Sequence, residues 1–212
     1  MLASVAACSG NPTTSGHTPP AIELIRNARD MGDTSDRSFI AHPLVSGFSV
    51  CHGHTCRYIN RVGLGHDEWN SIRQVFAEPF DSAEQEREKI REAIGLFETL
   101  TGNKIGTSND KAESFAGLGE TGQMDCVDEA TNTSVYLTLL QNAGLLRWHV
   151  VDYRISRGVG SLQAPHFTAV IKEIQTGRKY AVDSWFRDNG EIPYIIPLSV
   201  WKGGWKPAGS GD

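Results

Sequence analysis

Apolar positions recur at helical spacing in three stretches of the chain. Over 67–77, Trp69, Ile72, Val75 and Phe76 fall on one face and Pro79 follows, which predicts a helix that ends there. Over 82–100, Ala83, Ile90, Ala93, Ile94, Phe97 and Leu100 form a stripe. Asp81 or Ser82 caps that helix, Glu84 or Gln85 closes a capping box, and Gly102 is read as its stop. The charges between Glu84 and Glu92 are its solvated face. Over 126–142, Asp125 serves as N-cap and Gly144 as terminator. Val127, Ala130, Thr131, Ser134, Leu137 and Thr138 share one side, and the small residues near the start suit close packing on a sheet.

Three strand patterns follow, at 147–155, 165–174 and 178–186, with Thr176-Gly177 as a hairpin signal between the last two. The remainder, through Pro193, Pro197 and Trp205, predicts a short strand and an irregular, Trp-anchored tail. Before the helices, residues 9–20 are a Pro/Gly/Ser/Thr tether with too little apolar content to fold. Residues 21–30 predict a short helix through Ile22, Leu24 and Ile25, and 31–47 read as irregular. The loop at 101–123 is long enough to suggest a functional role. Helices first and an antiparallel sheet last make an α+β layout. The expected organisation is a signal remnant or flexible tether at 1–20 and a single domain at 21–212.

Composition narrows the function classes. Hydrophobic content of 39% and charged content of 21% suit a globular chain, and 212 residues suit one domain with an arm. A net charge of −5 without a dense Lys/Arg run argues against a nucleic-acid surface. No apolar stretch approaches a bilayer span. The first ten residues resemble the end of a bacterial lipoprotein signal, with Val5-Ala6-Ala7-Cys8 in place of a lipobox. That makes Cys8 a lipidation candidate, the one expected route to a membrane, and the location periplasmic or cell-envelope. An ordinary N-terminus would make the location cytoplasmic.

The segment Cys51-His52-Gly53-His54-Thr55-Cys56 invites a zinc reading, but structural zinc sites usually set two ligand pairs well apart. Four residues between the cysteines also exclude a haem-attachment motif. A Cys51–Cys56 disulfide, or two unpaired thiols, ranks ahead of a metal, and no metal is expected. A disulfide fits an oxidising compartment.

Cys126 opens the third helix, where unpaired N–H groups and the helix dipole favour a thiolate. A thiol nucleophile needs a base, and the base needs a group that fixes its tautomer. His166 opens one strand and Asp183 lies in the next. The run Asp125-Cys126-Val127-Asp128-Glu129-Ala130, then His166-Phe167-Thr168-Ala169-Val170, then Tyr180-Ala181-Val182-Asp183, resembles the Cys…His…Asp core of transglutaminase-like, papain-like proteins. Within that superfamily it is closest to the bacterial transglutaminase-like cysteine proteinases. The resemblance covers about residues 120–187. It implies Cys126 as nucleophile, His166 as general base and acid, Asp183 as orienter, no cofactor, and a peptide or protein substrate, with cell-envelope amides included. It also implies a papain-like core and a cysteine peptidase or amidase. Transglutaminase-type acyl transfer and a non-catalytic cell-envelope binding module on the same scaffold are the alternatives.

Register tests the triad. An unbulged two-residue turn at Thr176-Gly177 would set Asp183 opposite Val170, too far from His166. A four-residue loop at 174–177 sets Asp183 opposite Thr168 and makes His166 a diagonal neighbour, within side-chain reach. The longer loop, or a bulge, is therefore expected. The Cys126 backbone N–H is the expected oxyanion donor, and Gln123 is a second candidate close in sequence. His149 competes with His166 as base, but no Asp follows it at hairpin spacing. Trp148 and Trp185 are read as core aromatics.

Overall fold

A computed structural model of the chain describes residues 39–114, 120–158 and 165–210. The tether, the helix expected at 21–30 and Cys8 lie outside the described residues. An antiparallel hairpin comes first, β1 (Phe48–His52) paired with β2 (Tyr58–Val62). Three helices follow: α1 (His66–Val75), α2 (Ala83–Ile105) and α3 (Cys126–Asn142). Then come β3 (His149–Arg157), β4 (His166–Glu173), β5 (Lys179–Asp183), β6 (Tyr194–Pro197) and the short α4 (Leu198–Lys202). Strands β3 to β6 make one antiparallel sheet in sequence order. The architecture is α+β.

Helix α3 is the centre of the molecule. The expectation gave it one buried side; every residue from Cys126 to Leu140 is buried. It packs against β1, β3, β4 and α2 together, so no face is left for solvent. Its hydroxyls stay satisfied by bonding back one turn, Thr131 Oγ1 to Val127 O at 2.6 Å and Ser134 Oγ to Ala130 O at 2.7 Å. Asn132 grips the β1 backbone with both ends of its amide, accepting from Cys51 N at 2.7 Å and donating to Cys51 O at 2.8 Å. Against the far half of α3, Tyr136 stacks on Phe97 of α2 at 4.8 Å, and its hydroxyl meets Thr101 Oγ1 at 2.8 Å.

Helix α2 runs past Gly102 and ends at Gly106, which adopts φ 81°. The stop therefore lies four residues beyond the expected one. Gly102 lies inside the helix, and the Asn189 side chain packs where its Cβ would be, 2.9 Å away, so the glycine serves a close approach and not a stop. The hairpin β1–β2 was not foreseen. Its tip contains the Cys51–Cys56 disulfide, Cα to Cα 4.7 Å. Gly53, His54, Thr55 and Cys56 all adopt positive φ, between 53° and 82°. A left-handed run of non-glycine residues is unfavourable by about 1–2 kcal/mol each, so its partners matter, and they lie at the start of α3.

Candidate active site

Asp125 caps α3 by accepting from Val127 N and Asp128 N, both at 3.0 Å. The Cys126 N–H is outside that cap. The disulfide loop closes over the same helix start. Its successive N–H groups, on His54, Thr55 and Cys56, donate to Asp128 Oδ2, Asp125 Oδ2 and Asp128 Oδ1 at 2.6–2.9 Å. Consecutive N–H groups in left-handed backbone form an anion-binding concavity, and two carboxylates of the cap fill it. With both sulfurs bonded, Cys51 and Cys56 have no thiolate to offer a metal.

The thiol end of α3 meets the first residues of β4. Cys126 Sγ lies 3.9 Å from Pro165 O and also meets the Phe167 N–H, the residues on either side of His166. Cys126, Phe167, Trp185 and Phe186 pack in one cluster, and Cys126 is 6% exposed. Burial pushes the Cys126 thiol up to about 12. The Phe167 N–H and Arg154 pull it down, while Asp125 and Asp183 add to the rise. A thiol in that state is a poor nucleophile at neutral pH unless a neighbouring base takes its proton.

His166 and Asp183 are in contact. The β4–β5 pairing of Ala169 with Val182 and Lys172 with Lys179 is the register of the four-residue loop, closed by Glu173 N to Arg178 O at 2.8 Å and Gly177 N to Glu173 O at 2.9 Å. His166 Nε2 is thereby set 2.8 Å from Asp183 Oδ2, with both side chains buried. The other ring nitrogen, His166 Nδ1, is buried with no hydrogen-bond partner among the described residues. An Nε2–H donated to Asp183 leaves Nδ1 as the acceptor, the tautomer a general base requires.

The surroundings of the imidazole supply what sequence reading missed. Trp185, Phe186 and Trp201 pack around His166 at 4.8, 5.2 and 5.5 Å between ring centroids. Trp201, fully buried on α4, also donates its indole N–H to Asp183 Oδ2 at 2.6 Å. Three rings keep water from the His–Asp pair, and the second donor fixes the carboxylate. Nothing in the local pattern of the tail marked Trp201 for this position; an indole bonded to a residue 18 positions earlier leaves no periodic trace.

Gln123 does not hold the place expected of an oxyanion donor. Its Nε2 donates to Asn109 O at 2.8 Å and its Oε1 accepts from Lys111 N at 3.2 Å, so the carboxamide braces the approach to α3. His149 is fully buried on β3 between Glu86, 2.8 Å from Nδ1, and Arg87, 3.3 Å from Nε2. It pairs with Glu173 on β4, at the other end of the strand from His166. Trp185, read as a core aromatic, is buried, and it packs on the imidazole.

No family model, curated protein or solved structure matches the chain. What the site can do follows from its own atoms. Cys126, the His166 strand start and Asp183 converge on one buried locus. Among the described residues no group of three His, Cys, Asp or Glu side chains is placed to hold a metal ion.

Proposed function

We propose that the protein is a thiol-dependent amide-bond hydrolase, a cysteine peptidase or amidase, on a papain-like, transglutaminase-like core formed by α3 and the β3–β6 sheet. The observation that carries this is His166: Nε2 held by Asp183 at 2.8 Å, Nδ1 buried without a partner, and the Cys126 sulfur against the residues that flank it.

In this reading the Cys126 proton passes to His166 Nδ1, and Asp183 stabilises the imidazolium. The thiolate attacks the amide carbonyl, and the oxyanion that forms accepts the Cys126 N–H. Collapse breaks the C–N bond as His166 returns the proton to the leaving amine, leaving an acyl thioester on Cys126. Water then attacks with His166 as base, the C–S bond breaks, and the thiol is regenerated with a carboxylic acid as product. An amine in place of water gives acyl transfer. The substrate is a peptide, a protein or a cell-envelope amide, and the Cys51–Cys56 bond supports a periplasmic or cell-envelope location. Cys8 as lipid anchor belongs to the same proposal.

Iodoacetamide at pH 6 labels Cys126 stoichiometrically, and His166→Ala abolishes that labelling. Peptide and peptidoglycan amides are hydrolysed by the wild type and not by Cys126→Ala. A thiol that reacts only at strongly alkaline pH, whether or not His166 is present, sinks the proposal.

A further inference from the structure

Strand β3 contains an irregularity that changes which side chain faces α3. Asp152 pairs with Val170 and Ile155 with Thr168, so Tyr153 and Arg154 together oppose the single residue Ala169. This is a β-bulge, a device that re-aims side chains and concentrates near active sites. Before it, His149 and Val151 point inward, 0% and 5% exposed. Plain alternation would send Tyr153 inward and Arg154 to solvent. The bulge reverses them: Tyr153 is 41% exposed and Arg154 5%.

The inward Arg154 crosses to the first turns of α3. Its Nη1 donates to Val127 O at 3.1 Å and to Thr131 Oγ1, and the guanidinium lies 5.2 Å from the Phe167 ring centre. Its Nε is buried with no hydrogen-bond partner among the described residues. Among the described residues no carboxylate lies within salt-bridge distance of it. Burial pulls its pKa down to about 10, so the group stays cationic at neutral pH. A buried, unpaired cation is costly, and stability alone does not explain it. The nearby anions that favour its charge are the Cys126 thiolate first, then Asp125 and Asp128.

We propose that Arg154 is a positioning residue for the thiolate: the bulge in β3 holds its charge beside the Cys126 sulfur and stabilises the ionised nucleophile through space. The inference rests on Cys126 being the nucleophile. The groups that act on this sulfur are Asp125 at the head of α3, Arg154 and the half-buried Arg157 on β3, the Phe167 N–H on β4 and Asp183 on β5; the neighbouring His166 is held by Asp183. Asp125 and Asp183 oppose ionisation of the thiol. Arg154 is the buried cation that offsets them.

The test is the pH profile of Cys126 alkylation by iodoacetamide in the wild type, Arg154→Gln and Arg154→Lys, with thermal melts of each. Gln keeps N–H donors for Val127 O and Thr131 Oγ1 but removes the charge; Lys keeps the charge. The expected result is an inflection about one pH unit higher in Arg154→Gln, hence alkylation about tenfold slower at pH below the inflection, and an inflection close to wild type in Arg154→Lys. A brace for α3 alone would give the opposite order, with Gln the better substitute. An unchanged inflection in folded Arg154→Gln overturns the inference. If neither variant folds, His166→Ala decides it. There, at alkaline pH, where the thiol ionises without the imidazole, a rate ratio of iodoacetate to iodoacetamide above that of free cysteine supports a cation at the sulfur, and a ratio at or below it overturns one. A wild-type profile that ignores His166 counts against the hydrolase reading. A wild-type profile that depends on His166 but not on Arg154 counts against this inference alone.

Discussion

At the scale of single residues, Trp201 yields the sharpest expectation. Trp201→Phe keeps a ring against His166 and removes the indole N–H that Asp183 Oδ2 accepts at 2.6 Å. A hydrogen bond to a charged group is worth about 1.5–3 kcal/mol, so in the proposed hydrolase kcat/KM on an amide substrate falls about tenfold or more, and the melting temperature falls as well. An unchanged kcat/KM would make Trp201 a packing residue only. The positions of Cys126, His166 and Asp183 in the fold were legible because each sits at a telling place in a local pattern, a helix start or a strand. Trp201 and Arg154 were not. Trp201 belongs to a tail with no clear period, and Arg154 is turned inward by a bulge that alternation cannot show. Gln123 was misassigned because nearness in sequence to the thiol does not fix where an amide points.

At the scale of elements, the helices and the main sheet followed from periodicity, and the errors came where tertiary packing overrides local preference. Gly102 was read as a stop and lies inside α2, where Asn189 packs in the space a side chain would take. Gly95 is a second close approach on the same helix: a Cβ there would lie 2.9 Å from Gly190 O and 3.2 Å from Glu191 O. Gly95→Ala therefore destabilises the protein by about 1–3 kcal/mol, although alanine is the better helix former. A melting temperature raised by Gly95→Ala would refute this. The hairpin β1–β2 escaped because 51–56 was read for the chemistry of its cysteines and histidines, with a disulfide or free thiols ranked ahead of a metal, and not for the strands on either side. That turn and the α3 cap depend on each other. Asp125→Ala removes the cap of Val127 and Asp128 and the acceptor of Thr55 N, and costs about 1–2 kcal/mol in denaturant unfolding.

At the scale of the whole molecule, the buried polar content of α3 was the least legible feature, since a helix enclosed on every side carries no amphipathic stripe. Behind its first turns lie four buried acids. Burial pushes Glu98 up to about 8, Asp128 to about 7 and Asp110 to about 6, and raises Glu129 well above the usual carboxylate range. Folded pKa values above the unfolded ones mean that the native state binds more protons. The stability from these groups is full below about pH 4 and is lost as pH rises through 6 to 8. Thermal melts should show a lower melting temperature at pH 8.5 than at pH 5.5, and Glu98→Gln should flatten the slope. A slope of the opposite sign would show that these carboxyls are ionised in the native state. One consequence concerns order of synthesis. The proposed nucleophile is at position 126, but the last group to touch the His–Asp pair is Trp201 on α4. A chain emerging N-terminus first carries its thiol long before that contact can form. In the proposed hydrolase, the His–Asp pair is therefore completed only when the last described helix docks.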